Sequence, residues 1–367
     1  MESVFTITDQ LLSGGCIRLE HTAHSYEGRR ISVYTCGGGP VKVLAWSQMH
    51  GNEPTSTLAL LDAMRMLQGD KELQSQITLT AIPMLNPDGT ASHDRRNAQG
   101  IDVNRDAQSL ISPEAKLLMG TWQRTQPKFA LNLHDQETRY TSLTPPTPAL
   151  LAMLAPECSA DHAITPARKR AMQVIANVAD ILPIATRGRI ARYDDVYTPT
   201  AFGDTLMRLG TSSILIEAGA ASVHNDAQAP RQAMTKAIME ALRSMATDSY
   251  LNYDVQAYDR LPLNKEFDGY DLVLKHVAVT DTLGNYQIDI GIRRVKPTCN
   301  PEDFAEHLNE YRVLNIGDLG DAPALRSVDL QGYQLNGSHE KLYIGCKIDF
   351  TVLAPDGKMI HIPSLLD

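Results

Sequence analysis

The segment MHGNE at 49–53 brings together residue types that bind metal ions. It follows the apolar run VKVLAWSQ at 41–48, which predicts a buried strand, and it precedes a helical pattern. Ligands of open α/β sheets bind beyond the carboxyl ends of the strands, which is where His50 and Glu53 stand. An imidazole nitrogen and a carboxylate oxygen suit Zn²⁺, and Gly51 allows the tight turn that lets both side chains converge. On its own, such a pair is equally typical of polar surface residues.

A second candidate ligand, His134, ends another apolar run, FALNLHD at 129–135. This run predicts a strand of the same sheet, so His134 reaches the same sheet edge as His50 and Glu53. Two histidines and one glutamate form the ligand set of a catalytic zinc site, which leaves the fourth position for water. A lone histidine after a strand is more often structural, and only the presence of His50 and Glu53 favours a ligand role for His134. We expect Asp135 or a backbone carbonyl to orient a ligand imidazole.

Glu217 stands near the end of the apolar run SSILIEAG at 212–219. A carboxylate at the end of so apolar a strand is costly unless it has a partner or a function. Partial desolvation raises the pKa of a carboxyl group and makes it a better general base near neutral pH. We therefore predict that Glu217 takes a proton from the attacking water and returns it to the leaving amine. The alternative is a core glutamate held in a salt bridge.

The loop RRNAQGIDVNR at 95–105 is dense in arginine and asparagine. An arginine side chain offers a planar fork that binds a carboxylate through two hydrogen bonds, and Asn104 adds a neutral donor. One arginine near the metal would also stabilise the oxyanion of a tetrahedral intermediate, an effect worth about 3–4 kcal/mol. The loop therefore predicts an anion-binding surface, although a single arginine on its own is more typical of a solvated surface charge.

The order of apolar runs and helical stretches predicts an α/β fold. Short strands alternate with helices through most of the chain, which implies a largely parallel sheet covered on both faces. The predicted strands are 41–48, 77–85, 129–135 and 212–219, and the predicted helices are 55–67, one opened by Ser112-Pro113-Glu114, 166–182 and 229–246. After Thr247 short strands are separated by turn residues, so we predict a catalytic domain at 1–248 and a small all-β domain at 249–367. Within the latter, Asp356-Gly357 predicts a hairpin turn.

Composition excludes several classes of function. The 367 residues carry a formal net charge of −9, which argues against a nucleic-acid-binding surface, since such a surface needs clustered Lys and Arg. No run approaches the ~18 apolar residues of a membrane span, and the first residues show no signal peptide. The five cysteines are scattered and never paired as C-x-x-C, which is typical of reduced, mostly buried thiols. We expect a cytoplasmic protein that binds neither nucleic acid nor membrane, with a homo-oligomer left open.

Taken together, these residues resemble the zinc carboxypeptidase family. Each motif is moderately specific, and the motifs follow the family's order over roughly residues 20–245. They are SYEGRR at 25–30, HGNE at 50–53, LNPDG at 85–89, the loop 95–105, His134 and Glu217. The resemblance implies a three-layer α/β/α sandwich with a mixed, mostly parallel sheet of about eight strands.

The resemblance also implies a role for each matching residue of the reaction centre. One Zn²⁺ ion would be bound by His50, Glu53 and His134. Glu217 would be the general base, and Arg95 would polarise the scissile carbonyl group.

Further roles follow for the residues that would hold the substrate. Asn104 and Arg105 take the place of the pair that grips the substrate's terminal carboxylate. The family also uses a tyrosine on a loop before the glutamate, for which Tyr197 fits best and Tyr193 is the runner-up. If Asp204 lines the side-chain pocket, it would favour a basic or amine-bearing terminal residue.

Departures from the secreted digestive members leave the substrate open. This chain shows no signal peptide, has a short middle, and adds a C-terminal β domain. The main prediction is a metallocarboxypeptidase that removes a C-terminal amino acid from a peptide, because of the Asn104-Arg105 clamp. The alternative is an amidase or deacylase that acts on a murein-type peptide or an N-acyl amino acid. A binding module without catalysis is the third hypothesis, and the presence of all the ligand and base positions speaks against it.

Overall fold

The computed structural model describes residues 2–13, 15–136, 140–141, 147–183, 188–194, 196–219, 227–281, 284–295, 310–336 and 342–365. The chain forms two compact units. The first comprises most of the residues up to Lys265, and the second comprises those from Glu266 onward. The domain boundary that we placed after residue 248 stays a prediction.

The first unit is built around a sheet of eight strands. In chain order the strands of this unit are β1 (Ile17–His24), β2 (Arg30–Gly37), β3 (Val41–Ser47), β4 (Ile77–Ile82), β5 (Phe129–Asp135), the two-residue β6 (Tyr140–Thr141) outside the sheet, β7 (Leu151–Leu154), β8 (Ile190–Arg192) and β9 (Ser212–Ala218). The order across the sheet is β1-β2-β4-β3-β5-β9-β7-β8. The central strands β4, β3, β5 and β9 are parallel, while β2 and β7 flank them antiparallel. The predicted mixed sheet is confirmed.

Helices connect these strands. They are α1 (Glu2–Ser13), α2 (Pro54–Gly69), α3 (Lys71–Gln76), α4 (Pro87–Ser92), α5 (Pro113–Thr125), α6 (Pro166–Ile181), α7 (Phe202–Arg208), α8 (Gln228–Thr247) and α9 (Val255–Asp259), with 3-10 turns at Val103–Arg105 and Ser249–Asn252. As predicted, Ser112 caps α5, because its Oγ accepts the N–H of Ala115 at 3.2 Å. None of the helices in the described part of the chain combines the length and hydrophobicity needed to span a bilayer.

The side chains on both faces of the central strands are buried under helices. Successive residues of a strand point to opposite faces. On β3, Val43 and Ala45 join a buried cluster with residues of α2, α6 and α8. The alternate residues, Leu44 and Trp46, join a second buried cluster with residues of α5 and α7. These two clusters make the first unit a three-layer α/β/α arrangement, as predicted.

The second unit contains a separate sheet. The strands from residue 265 onward are β10 (Lys265–Glu266), β11 (Tyr270–Asp281), β12 (Gly284–Val295), β13 (Glu310–Gly317), β14 (Ala324–Asp329), β15 (Gln334–Asn336), β16 (Thr351–Leu353) and β17 (Met359–His361), followed by a 3-10 turn at Ile362–Leu365. All except β10 join one sheet in the order β13-β12-β11-β15-β16-β17, with β14 pairing with β11. The predicted hairpin turn at Asp356-Gly357 connects the antiparallel β16 and β17, and Gly357 has a φ of +84°.

Candidate metal centre

The three predicted metal ligands meet at one edge of the central sheet. His50 lies three residues beyond the end of β3, and Glu53 directly precedes α2, which begins at Pro54. His134 lies in β5, one residue before the end of that strand. Because β3 and β5 are parallel neighbours, their carboxyl ends lie side by side.

The ligand atoms of these three residues converge, as predicted. Glu53 Oε1 lies 2.8 Å from His50 Nδ1, and Glu53 Oε2 lies 2.8 Å from His134 Nδ1. The two Nδ1 atoms are 3.1 Å apart. All three residues are buried, with 2%, 7% and 2% of the surface of His50, Glu53 and His134 exposed.

This set of donors fits a zinc ion. In a tetrahedral site with Zn–N bonds of about 2.0–2.1 Å, two nitrogen ligands stand about 3.3 Å apart. The 3.1 Å between the Nδ1 atoms of His50 and His134 is close to that spacing. Burial would raise the pKa of Glu53, but His134 and His50 outweigh it and lower the pKa to about 2, so the carboxylate is ionised. When bound, zinc supplies a Lewis acid that polarises an amide carbonyl and lowers the pKa of water.

Asp102 holds His50 from the side away from the other ligands. His50 Nε2 lies 3.1 Å from Asp102 Oδ1, so the ring donates Nε2–H to the carboxylate and keeps Nδ1 for a metal. Arg95 Nε donates to the other carboxylate oxygen at 3.2 Å. Burial would raise the pKa of Asp102, yet the hydrogen bond from His50 and the charge of Arg95 hold it well below its usual range. Asp102 therefore has the orienting role that we expected of Asp135 or a backbone carbonyl.

Asp135 fixes the start of α2 instead. Its two carboxylate oxygens accept the backbone N–H groups of Thr55 at 2.6 Å and Ser56 at 2.7 Å. These N–H groups belong to the first turn of the helix, where no carbonyl of the helix itself can accept them. Asp135 thereby anchors the end of the helix at which Glu53 stands, and both of its oxygens are engaged by the helix.

Arg95 reaches the metal centre from the loop 95–105. Its Nη1 lies 3.1 Å from His50 Nδ1 and 3.5 Å from Glu53 Oε1. Because 44% of the Arg95 side chain is exposed, the guanidinium group can also meet a molecule that arrives from solvent. This position agrees with the role predicted for Arg95, which stays a prediction.

Glu217 stands directly opposite His134 on the neighbouring strand. The two residues are register partners in the parallel pair of β5 and β9, so their side chains project from the same sheet face. Glu217 Oε2 is enclosed and has no hydrogen-bond partner among the described residues. Burial raises the pKa of Glu217 to about 8, with His134 opposing the shift and Glu53 adding to it.

The loop that carries Asn104 and Arg105 is joined to α7. Asn104 is 8% exposed, and its Oδ1 accepts the backbone N–H of Phe202 at 3.1 Å. Arg105 is exposed, and its Nη1 donates to the carbonyl oxygen of Asn104 at 2.9 Å. Asn104 thus secures the loop, and Arg105 presents its charge at the surface. Their predicted grip on a substrate carboxylate stays a prediction.

Asp204 and Tyr197 lie in and just before α7. Asp204 is 7% exposed, and its Oδ1 accepts the backbone N–H of Thr198 at 2.8 Å. Burial raises the pKa of Asp204 to about 6, against the opposing effects of Thr198 and the positive charge of Arg105. Tyr197 is partly exposed. The predicted roles of both residues stay predictions.

A cluster of amide and hydroxyl groups lies beside His134 and Glu217, and sequence reasoning largely missed it. Gln136 Oε1 accepts hydrogen bonds from Tyr193 Oη at 2.6 Å and from Asn264 Nδ2 at 2.7 Å. Gln136 follows His134 by two residues, which returns its side chain to the same face. Burial and the charge of Glu217 raise the pKa of Tyr193, so its hydroxyl stays protonated. No local pattern marks an amide pair that is 128 residues apart in the chain.

Glycine brings two of the predicted motifs into contact. A Cβ atom on Gly51 would stand 1.9 Å from the carbonyl carbon of Gly89. The HGNE loop therefore rests directly on the backbone of the LNPDG motif. Only glycine permits this approach, which sets the path of the chain between His50 and Glu53.

Comparison with known proteins shows a similarity to the zinc carboxypeptidase family in part of the chain. Residues 13–138 match the family profile of zinc carboxypeptidases. No curated protein matches the chain significantly.

Solved structures of metallo-carboxypeptidases share the fold. One from Pseudomonas aeruginosa, in complex with (2-guanidinoethylmercapto)succinic acid, is 17% identical with a TM-score of 0.54 over 68% of this chain and 69% of that one. Another from Burkholderia cenocepacia is 16% identical, with a TM-score of 0.54 over 67% and 68% of the two chains. Carboxypeptidase A from Helicoverpa armigera is 16% identical, with a TM-score of 0.52 over 66% and 71%.

The family match includes every residue of the candidate ligand set, His50, Glu53 and His134, and Glu217 lies beyond it. Residues 13–138 are thus similar to zinc carboxypeptidases in sequence, and the fold around them is that of the metallo-carboxypeptidases, which indicates a hydrolase.

Proposed function

We propose that the protein removes the C-terminal amino acid from a peptide. The observation that carries this proposal is the register of β5 and β9, which sets Glu217 beside His134 of the metal centre. Hydrolysis of an amide needs a proton acceptor within reach of the water that the metal site holds ready. The enclosed, unpaired Oε2 of Glu217 is suited to that task.

Three residues of the site have defined roles in this proposal. Glu217 accepts a proton from the attacking water and later donates it to the leaving amine. Arg95, next to His50, faces the negative charge that develops on the carbonyl oxygen, which is worth about 3–4 kcal/mol in comparable sites. Arg105 pairs with the terminal carboxylate of the substrate, because a guanidinium group can donate two parallel hydrogen bonds to it.

The substrate class can be tested with matched peptides. Zinc-loaded enzyme is given a tripeptide with a free C-terminus, the same peptide with a C-terminal amide, and the corresponding N-acyl amino acid. We expect release of the last amino acid from the free acid and a loss of about 100-fold or more for the amide, because a charge-assisted pair is lost. Treatment with 1,10-phenanthroline should abolish the activity and added zinc should restore it. Preferred cleavage of the N-acyl amino acid would favour a deacylase, and activity without metal would contradict the proposal.

The role of Glu217 is tested by Glu217→Gln. We expect kcat to fall by about 10²–10⁴-fold, because the amide cannot carry the proton, while the affinity for zinc changes little. Glu114→Gln is a matched control, since Glu114 is fully buried in α5 and accepts a hydrogen bond from Asn97 outside the metal centre. Equal activity of Glu217→Gln and Glu114→Gln would refute the assignment.

Asp204 is the candidate for side-chain selection. It is buried near the positive charge of Arg105, and the Pseudomonas relative binds a ligand that carries a guanidino group and a succinic acid group. These features support a preference for a basic terminal residue. We expect Asp204→Asn to lower kcat/KM for a C-terminal Lys peptide relative to a Leu peptide, by about 10-fold for one lost charge-assisted contact. An unchanged Lys to Leu ratio would assign Asp204 to structure alone.

A further inference from the structure

Gln136 and Asn264 hold unused hydrogen-bonding capacity next to Glu217. Gln136 Nε2 and Asn264 Oδ1 are enclosed and have no partner in the described part of the chain. Asn264 is only 6% exposed. Burying an amide group without a partner is unfavourable, so such atoms in a native protein call for a ligand or a bound water.

The pair leaves one donor and one acceptor unpaired whichever way round the two amides are turned. As placed, Gln136 Oε1 accepts from Asn264 Nδ2, which leaves the NH₂ of Gln136 and the C=O of Asn264 unpaired. With both amides turned over, Gln136 Nε2 would donate to Asn264 Oδ1 and to the oxygen of Tyr193. The C=O of Gln136 and the NH₂ of Asn264 would then be unpaired. Either way the pair offers one donor and one acceptor.

One donor beside one acceptor is complementary to a single peptide unit, which presents one C=O and one N–H. The pair also lies near the candidate base. Gln136 Nε2 is 2.9 Å from the place a Cβ of Gly219 would take, two residues beyond Glu217. Glu217 Oε2, which must reach the reacting water, is itself enclosed. The unpaired atoms of the amide pair and of the candidate base are thus enclosed in the same region of the fold.

We propose, on the basis of the proposed function, that Gln136 and Asn264 bind the peptide unit that precedes the scissile amide. A peptide of three residues contains such a unit. An N-acyl amino acid does not, because its single amide is the one cleaved. The amide pair thus makes the enzyme selective for peptides over N-acyl amino acids, and Tyr193 positions Gln136 for this contact.

The experiment compares a blocked tripeptide with an ester analogue in which oxygen replaces the N–H of the upstream peptide unit. Zinc-loaded wild type should lose about 10-fold or more in kcat/KM on the analogue, because a buried acceptor is left unpaired. On the tripeptide, Asn264→Ala and Gln136→Ala should each lose about 10-fold or more in kcat/KM. At least one of these variants should cleave the tripeptide and the ester analogue with equal kcat/KM. Both variants should cleave an N-acyl amino acid as the wild type does. Gln126→Ala, which removes an exposed amide bonded to Gln123 of its own segment, is the control.

The outcomes separate this inference from the proposed function. An active wild type that cleaves both compounds equally would overturn the inference and leave the carboxypeptidase assignment intact. A wild type that is inactive on every peptide would overturn the proposed function itself. Should a variant fail to fold, the comparison of the two substrates on the wild type alone still decides.

Cys16 and Cys36 form a pair of neighbouring thiols that the proposed function does not use. Their Sγ atoms are 2.6 Å apart, so a disulfide bond between them needs little movement of either side chain. Cys16 immediately precedes β1 and is partly buried, while Cys36 lies in β2 and is 1% exposed. Because β1 and β2 are paired with Ile17 opposite Cys36, the backbone already holds the two thiols together.

We infer that Cys16 and Cys36 form a disulfide when hydrogen peroxide oxidises the protein. Burial raises the pKa of Cys36, so the more exposed Cys16 reacts first. Its sulfur attacks the O–O bond, which gives a sulfenic acid and one water. The sulfur of Cys36 then displaces the hydroxyl group, which leaves with the thiol proton as a second water. Two thiols lose two electrons, and one peroxide is reduced.

Mass spectrometry and thiol titration test this. After brief treatment of the native protein with peroxide, the intact mass should fall by two hydrogens, and the titratable thiols should fall from five to three. Cys16→Ser and Cys36→Ser should show neither change. Cys158→Ser, which removes a buried thiol elsewhere, should form the cross-link as the wild type does. A peroxide-treated wild type that keeps all five thiols and yields no linked peptide of Cys16 and Cys36 would overturn the inference.

Discussion

Asp102→Asn is the most direct test of how the metal centre is held. In the wild type, Asp102 Oδ1 accepts from His50 Nε2 at 3.1 Å, and Oδ2 accepts from Arg95 Nε at 3.2 Å. An asparagine keeps one oxygen for His50, but it places an NH₂ group against the Nε–H of Arg95. The variant also removes the negative charge that holds the proton on Nε2 of His50.

The expected size of the effect follows from these contacts. Removal of a carboxylate that supports a metal-bound histidine typically costs 10–100-fold in metal affinity. That loss corresponds to about 1.4–2.7 kcal/mol of binding free energy. We expect a value in this range, because the Asp102 side chain is only 13% exposed and solvent screens its charge little.

The assay is competition for zinc between the apoprotein and a chromogenic chelator. Asp106→Asn is the matched control in the same loop, since Asp106 accepts hydrogen bonds from the backbone N–H groups of Ile111 and Ser112. It should lower the free energy of unfolding and leave the zinc affinity within about 2-fold, because it supports α5 and not His50. A zinc affinity of Asp102→Asn equal to that of Asp106→Asn would refute the reasoning.

Two further predictions concern stability. Because burial raises the pKa of Asp204 to about 6, the folded state binds this proton more tightly than the unfolded state, and the free energy of unfolding should fall as the pH rises from about 4 to 6. Asp204→Asn should remove that slope. The free energy of unfolding gained by the variant over the wild type should be larger at pH 8 than at pH 4, by up to about 3 kcal/mol. Parallel pH profiles of the two proteins in urea unfolding would contradict this. Gly51→Ala should destabilise the protein by at least about 2 kcal/mol, because its Cβ would overlap the backbone of Gly89. Gly69→Ala, where a Cβ meets no atom within 4 Å, should leave the melting temperature nearly unchanged.

The fold and the convergence of the three candidate metal ligands were predictable from the sequence for one physical reason. Each ligand stands at the end of an apolar run, and parallel strands bring such ends to one edge of the sheet. The sequence alone therefore predicts that His50, Glu53 and His134 lie together. The central strands begin as predicted, and β4 stops at Ile82 rather than at residue 85 because Pro83 follows it.

The supporting contacts were not accessible in the same way. Asp102 lies in a loop whose sequence pattern is dominated by arginines, and its place behind His50 depends on the exact path of that loop. Asp135 follows a ligand directly, yet its oxygens point to the start of α2. Asn264 lies near the end of the first unit, and only the folded chain brings it to Gln136. Contacts between distant segments leave no periodic trace in a sequence.

The register of β5 and β9 has a consequence for how this enzyme can change. The spacing between His134 and Glu217 is set by backbone hydrogen bonds, since the two residues are direct partners across the strands. Insertion or deletion of one residue within either strand would turn one of these side chains to the opposite face. Homologous sequences should therefore vary at 129–135 and 212–218 by substitution and keep the length of both segments. New specificities would then arise in the loops around this edge, where the chain can lengthen without separating Glu217 from His134.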